Sequence, residues 1–155
     1  MQVDSRDAHD ASDGTHVHAD RRIMGIRMSR TYLNPNTLSR PRGYSHVVKV
    51  GTTVYIAGQI AVAFDGTVVG TGDAEAQVRQ IWRNLDSAVR SVGGTLRDIV
   101  KTTTYVTDIA HAAAVRKVRD ETYPTDPPTS TLLVVVGLAM PDLMVEIEAV
   151  AVVAA

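Results

Sequence analysis

Apolar positions along this chain change period as they run, and each change marks an element. His46 to Val50 and Thr53 to Ala57 are β-rich runs on either side of Gly51-Thr52, the pattern of a hairpin. A second turn at Asp65-Gly66 separates Ile60 to Phe64 from Thr67 to Val69, which extends the hairpin into a small antiparallel meander. The period then lengthens. Val78, Ile81, Trp82, Leu85, Val89 and Val92 recur at spacings of three and four, one apolar stripe on a helix that Asp73 caps and Gly93-Gly94 ends. Ile99 to Asp108 alternates again and predicts a strand. A shorter helix, about Ala110 to Tyr123, is stopped by Pro124 and the Asp126-Pro127-Pro128 loop. Two last strands, about Ser130 to Val136 and Leu143 to Val153, lie around a Met140-Pro141-Asp142 turn.

The predicted order is βββαβαββ, an α+β domain with a mostly antiparallel sheet and both helices on one face. Runs as apolar as Leu132 to Val136 and Val150 to Val153 predict strands buried on both sides. Helices cover one side, so a neighbouring subunit of a closed cyclic oligomer is expected on the other. Trp82 and Tyr55 fall inside strong periodic patterns and read as core or packing residues.

Composition narrows this further. A chain of 155 residues, 45% apolar and 21% charged, can bury one good core and is too short for two ordinary domains. Residues 1 to 20 carry Asp4, Asp7, Asp10, Asp13 and Asp20 with His9, His16 and His18, and little apolar surface to offset the cost of ordering. Residues 1–27 are therefore expected to be a disordered extension or an over-long gene start, and residues 28–155 the domain. His16-Val17-His18 lacks the further ligands of a metal site, so no metal is expected there. Arg21, Arg22, Arg27, Arg30, Arg40 and Arg42 follow with no acid among them and read as a solvated arm with one short edge strand, interrupted at Asn34-Pro35-Asn36. A net charge of −1 argues against nucleic acid as the main partner. The absence of cysteine excludes disulfides, thiolate catalysis and Cys-ligated metal, and fits a reducing compartment. No apolar run approaches the ~20 residues of a membrane span, and the acidic start is unlike a signal peptide, so the cytoplasm is the expected location, with no membrane partner.

Four ordered blocks carry a more specific message: Gly43-Tyr44-Ser45-His46, Tyr55-Ile56-Ala57-Gly58-Gln59-Ile60, Asp98-Ile99-Val100-Lys101-Thr102-Thr103 and Val145-Glu146-Ile147-Glu148-Ala149-Val150-Ala151. Together, over about residues 32 to 153, they resemble the Rid (YjgF) family of enamine and imine deaminases, once labelled L-PSP endoribonucleases. The resemblance implies a chorismate-mutase-like fold, a homotrimer and small-molecule clefts between subunits. It also implies water addition to the C=N carbon of an amino-acid-derived imine, with release of ammonia and without metal or organic cofactor. Tyr44 falls on the family's cleft tyrosine, Gly58 on its cleft glycine and Glu146 on the glutamate that positions or activates water. Ala57 replaces a family serine, Arg116 falls on an asparagine of the second helix, and Thr129 stands where the family has an arginine that grips the substrate carboxylate.

The residues bear their own reading beside the resemblance. Glu146 and Glu148 are two apart in an apolar strand and share a face, and a buried carboxylate needs a reason to be there. Glu146 is expected to orient water and shuttle a proton, which requires a carboxyl pKa raised by its surroundings. Glu148 reads as structural or interfacial. Gly58-Gln59 interrupts a good strand, as a bulge or a close approach to ligand does. Thr129 and Ser130 offer hydroxyl and N–H donors to a carbonyl or carboxylate. Arg116, if it points into the cleft, restores the missing charge; otherwise Arg116, Lys117 and Arg119 are a solvated helix face. The intact trio favours an enzyme with altered specificity, whereas Thr129 and Ala57 favour a non-catalytic binder of small metabolites. RNA cleavage is the weakest reading, since the chain shows no aromatic and basic stacking surface and His46 and His111 form no recognisable catalytic pair.

Overall fold

Gly51 sits at φ +60, the left-handed conformation that a tight hairpin turn requires, and folds Thr53–Ile60 (β4) back along Val47–Val50 (β3). The computed structural model describes residues 16–19 and 29–154, the first four as backbone only. It adds His16–Ala19 (β1) and Ser29–Leu33 (β2) before the hairpin, then Ala74–Arg90 (α1), Ile99–Val106 (β5), Ala112–Thr122 (α2), Thr129–Val134 (β6) and Val145–Val152 (β7). One seven-stranded sheet results, in the order β1-β2-β3-β4-β7-β5-β6. Every neighbouring pair is antiparallel except β5 and β6, which run parallel because α2 carries the chain back between them.

From β2 onward the order of elements is the expected α+β βββαβαββ, but one strand changes identity. Thr67 to Val69, expected as a meander strand, makes only the isolated bridge Val62↔Val68, and the third strand of the opening run is β2 in the arginine-rich stretch. His16–Ala19, in the stretch expected to lack order, pairs with β2 as an edge strand. The other residues of 1–28 lie outside the described residues.

Both helices cover one sheet face. Asp73 caps α1 by accepting from the Ala76 N–H at 3.0 Å, and the stripe Val78, Ile81, Trp82, Leu85 and Val89 meets Val145, Ile147, Ala149 and Ala151 of β7 in a single core. Trp82 is buried, edge-on to Tyr123, as its period predicts. Tyr55 is not a core residue: alternation along β4 turns it to the opposite face, where it is 53% exposed. Val152, Leu133 and Val134 are exposed as well, so in a single chain β6 and the end of β7 are not covered on both sides.

One buried polar residue fixes where β7 begins. Gln77 of α1 is fully buried; its amide donates to the Asp142 carbonyl at 2.7 Å and the Gly70 carbonyl at 3.3 Å, and its Oε1 accepts from the Met144 N–H at 2.8 Å. The helix layer thereby holds the segment two residues upstream of Glu146. Among the described residues no helix is long and apolar enough to cross a membrane.

Candidate functional site

Strand alternation decides which side chains reach the face that the helices leave open. Along β7, Val145, Ile147 and Ala149 point into the core, so Glu146 and Glu148 point the other way. Glu146 lies opposite Ile60 of β4 and Tyr105 of β5. It is half-buried there, and loss of water followed by the nearby charge of Glu148 pushes its carboxyl above the usual carboxylate range.

Room for that carboxylate comes from β4. The register between β4 and β7 shifts between Ile56 and Gln59, which places Gly58 in a bulge beside Glu146. A β-carbon built on Gly58 would lie 2.8 Å from Glu146 Cδ, too close for any side chain to coexist with the carboxylate as placed. Tyr44 completes the cluster. It follows Gly43, which turns the chain at φ +80, and its ring is half-exposed. Burial, and then the charge of Glu146, raise its hydroxyl above the ordinary phenol range.

Tyr44, Gly58 and Glu146 are thus brought together within one chain. The other expected site residues are not. Thr129 and Ser130 open β6 opposite Lys101 and Thr102, whereas Glu146 faces Tyr105, four residues and about 13 Å further along β5 at the ordinary strand rise. The Thr129 hydroxyl is engaged, donating to the Val100 carbonyl at 2.9 Å. Arg116 is exposed on α2, in the helix layer and so on the other side of the sheet from Glu146. A cleft that uses all six residues needs a second copy of the chain.

Two features escape the sequence reading. Tyr105 sits across from Glu146, and burial, the Glu148 charge and hydrogen bonding with Glu148 raise its hydroxyl. Glu148 also borders a concavity of about 310 Å³ on the open face, lined with Tyr55, Ala57, Lys101 and Thr103 among others. The alternation of β5 was visible in the sequence, but which of its faces met Glu146 depended on a strand pairing that was not. Among the described residues no group of three or more His, Cys, Asp or Glu is placed to hold a metal ion.

A carboxyl held above its usual range, with its charge felt by a tyrosine hydroxyl at a partly open edge, is suited to pass a proton between water and a small bound molecule. The family model described as endoribonuclease L-PSP matches residues 36–153. A RutC family protein of Pyrococcus abyssi is 28% identical over 125 residues, covering 80% of this chain and 98% of its own. The crystal structure of YyfA from Yersinia pestis, a conserved Rid family protein, superposes with a TM-score of 0.75 at 29% identity, covering 80% of this chain and 99% of that one. That of E. coli TdcF with bound serine gives 0.70 at 27% identity, with 79% and 98% covered.

Proposed function

The chain belongs to the Rid (YjgF) family, and from that premise we propose that it is a hydrolase of small, reactive, amino-acid-derived imines or enamines, working as a homotrimer. Water adds to the C=N carbon while the Glu146 carboxylate takes one of its protons. The protonated carboxyl then returns that proton to nitrogen, giving a carbinolamine, and the freed carboxylate relays the carbinolamine's hydroxyl proton to the same nitrogen as the C–N bond breaks, leaving a carbonyl compound and ammonia. Tyr44 offers a hydroxyl to the adduct or the water, and Gly58 keeps space for the carboxylate. No cofactor enters the balance: one imine and one water give one carbonyl compound and one ammonia.

The observation that carries this reading is the raised carboxyl of Glu146 in the space Gly58 leaves, because one group must both accept and return a proton near neutral pH. Serine bound to TdcF supports a ligand of amino-acid size. The trimer is supported by the apolar Tyr55, Leu133 and Val152 exposed on the open face and by the separation of Thr129 from Glu146.

A second reading, a non-catalytic metabolite binder of the same architecture, is favoured by Thr129, whose hydroxyl is spent on Val100 and carries no charge for a carboxylate. Ammonia release from freshly generated imines and enamines separates the two. Turnover that Glu146→Gln abolishes while ligand binding persists supports the enzyme. Binding without turnover across the panel supports the binder.

A further inference from the structure

His46 and Gln59 are both 3% exposed, polar, and assigned no part in the chemistry above. Their hydrogen bonds leave little freedom. His46 Nε2 lies 2.8 Å from the Ser39 carbonyl oxygen, which can only accept, so Nε2 carries the proton and Nδ1 is left as an acceptor. Gln59 Nε2 donates to that Nδ1 at 3.3 Å and to the Ala57 carbonyl at 2.9 Å, using both amide hydrogens. The opposite amide orientation would set Gln59 Oε1 against the Ala57 oxygen, so the network fixes both the amide and the imidazole tautomer. The His46 backbone is held too, donating to Asn34 Oδ1 at 2.9 Å and accepting from the Ala57 N–H at 2.9 Å.

The fixed imidazole is the surface on which the cleft tyrosine rests. The Tyr44 and His46 rings meet edge to face, with centroids 5.4 Å apart and planes at 77°. The bulge that frees space for Glu146 at Gly58 is also what turns Gln59 inward toward His46. We propose that Gln59 and His46 are positioning residues: through His46, the Gln59 amide holds the Tyr44 ring against Glu146, so that one bulge in β4 sets both sides of the cleft. The proposal rests on reading Tyr44 and Glu146 as one cleft, and its test is chosen to need no turnover.

The test is the titration of the Tyr44 hydroxyl in the full-length protein, followed by ring-labelled tyrosine NMR and assigned by loss of the signal in Tyr44→Phe. Gln59→Met keeps the length of the side chain and removes its donors; it is expected to move Tyr44 back toward ordinary phenol behaviour and to broaden or split its ring signals. If Gln59→Met fails to fold, His46→Phe keeps a ring beside Tyr44 but gives Gln59 no nitrogen to bind, and the same change is expected. An unchanged Tyr44 titration in a folded variant of either kind overturns the proposal, whether or not the protein turns over an imine. Where turnover is found, Gln59→Met is expected to lower kcat about ten-fold with little change in KM, and to have almost no effect in a Tyr44→Phe background. Equal losses in both backgrounds would mean that Gln59 does not act through Tyr44.

Discussion

Gly58 and Glu146 compete for one volume: a β-carbon on residue 58 would lie 2.8 Å from Glu146 Cδ, within the space the carboxylate occupies. The glycine is therefore set by the glutamate rather than by its own backbone, which lies on the ordinary side of φ. Gly58→Ala is expected to push the carboxylate from its place. A shift of about 1 Å in a reacting group costs on the order of 10²-fold in rate, while relief by side-chain movement keeps the stability loss to about 1–3 kcal/mol. Ammonia release beside chemical denaturation checks both. A folded Gly58→Ala protein with wild-type turnover would remove Glu146 from the reaction.

Glu146 should also leave a mark on stability. Its folded carboxyl holds a proton to higher pH than the unfolded chain does. Between the ordinary carboxyl range and the raised value, the folded state therefore binds more protons, and stability falls as pH rises through that window. Glutamine has no such proton to lose. Glu146→Gln is expected to be more stable than wild type at neutral pH, with the advantage shrinking as pH falls through that window and gone below the ordinary carboxyl range. Thermal midpoints of the two proteins measured from acid to neutral pH test the sign; a variant less stable at neutral pH would contradict it.

The parts of this fold that were legible in the sequence are those in which one period dominates. The α1 stripe from Val78 to Val89 and the alternation of β7 predicted both which residues enter the core and that Glu146 and Glu148 share a face. Thr67 to Val69 misled because its β-branched residues have the composition of a strand, yet its pairing ends at the one bridge Val62↔Val68, with Thr67 and Val69 bonded to Ala63 and Ala61 on either side. Tyr55 misled because aromatic residues suit either face of a strand, and only the pairing of β4 with β7 fixes which face is covered. The distance between Thr129 and Glu146 is likewise a matter of register, and strand register is set by contacts remote in sequence.

Gln77 links the helix layer to the site. Replacing it by leucine leaves the Met144 N–H and the Asp142 carbonyl without their side-chain partner, while the Gly70 carbonyl keeps its bond from the Asp73 N–H. Each unsatisfied buried group costs about 1–3 kcal/mol, offset in part by the apolar replacement, so Gln77→Leu is expected to lose about 2–4 kcal/mol. Urea denaturation gives the value. A loss below about 0.5 kcal/mol, the scale of an ordinary surface change, would show that water replaces these bonds freely.

The open sheet face supplies a test of assembly. Tyr55, Leu133 and Val152 are large, apolar and exposed in the single chain, and a neighbouring copy would remove them from water. Light scattering is expected to give three times the 16.7 kDa chain mass. Tyr55→Glu, which places a charge on that face, is expected to shift the protein toward monomer and lower turnover in parallel. A monomeric wild type would confine the site to Tyr44, Gly58 and Glu146.

Thr129 offers the sharpest test of specificity, because the prediction is a gain. Its hydroxyl donates to Val100 and brings no charge to the start of β6, on the strand edge that a second chain would have to approach to meet Glu146. A guanidinium there would grip a carboxylate through two charge-assisted bonds, worth ~1.5–3 kcal/mol, or about ten-fold to over a hundred-fold in affinity. Thr129→Arg is therefore expected to lower KM for small 2-imino acids by that factor while leaving uncharged imines unaffected. The selectivity of the gain matters as much as its size. An equal improvement on charged and uncharged imines would mean that the arginine acts on folding or assembly, and no improvement on either would place Thr129 outside the cleft.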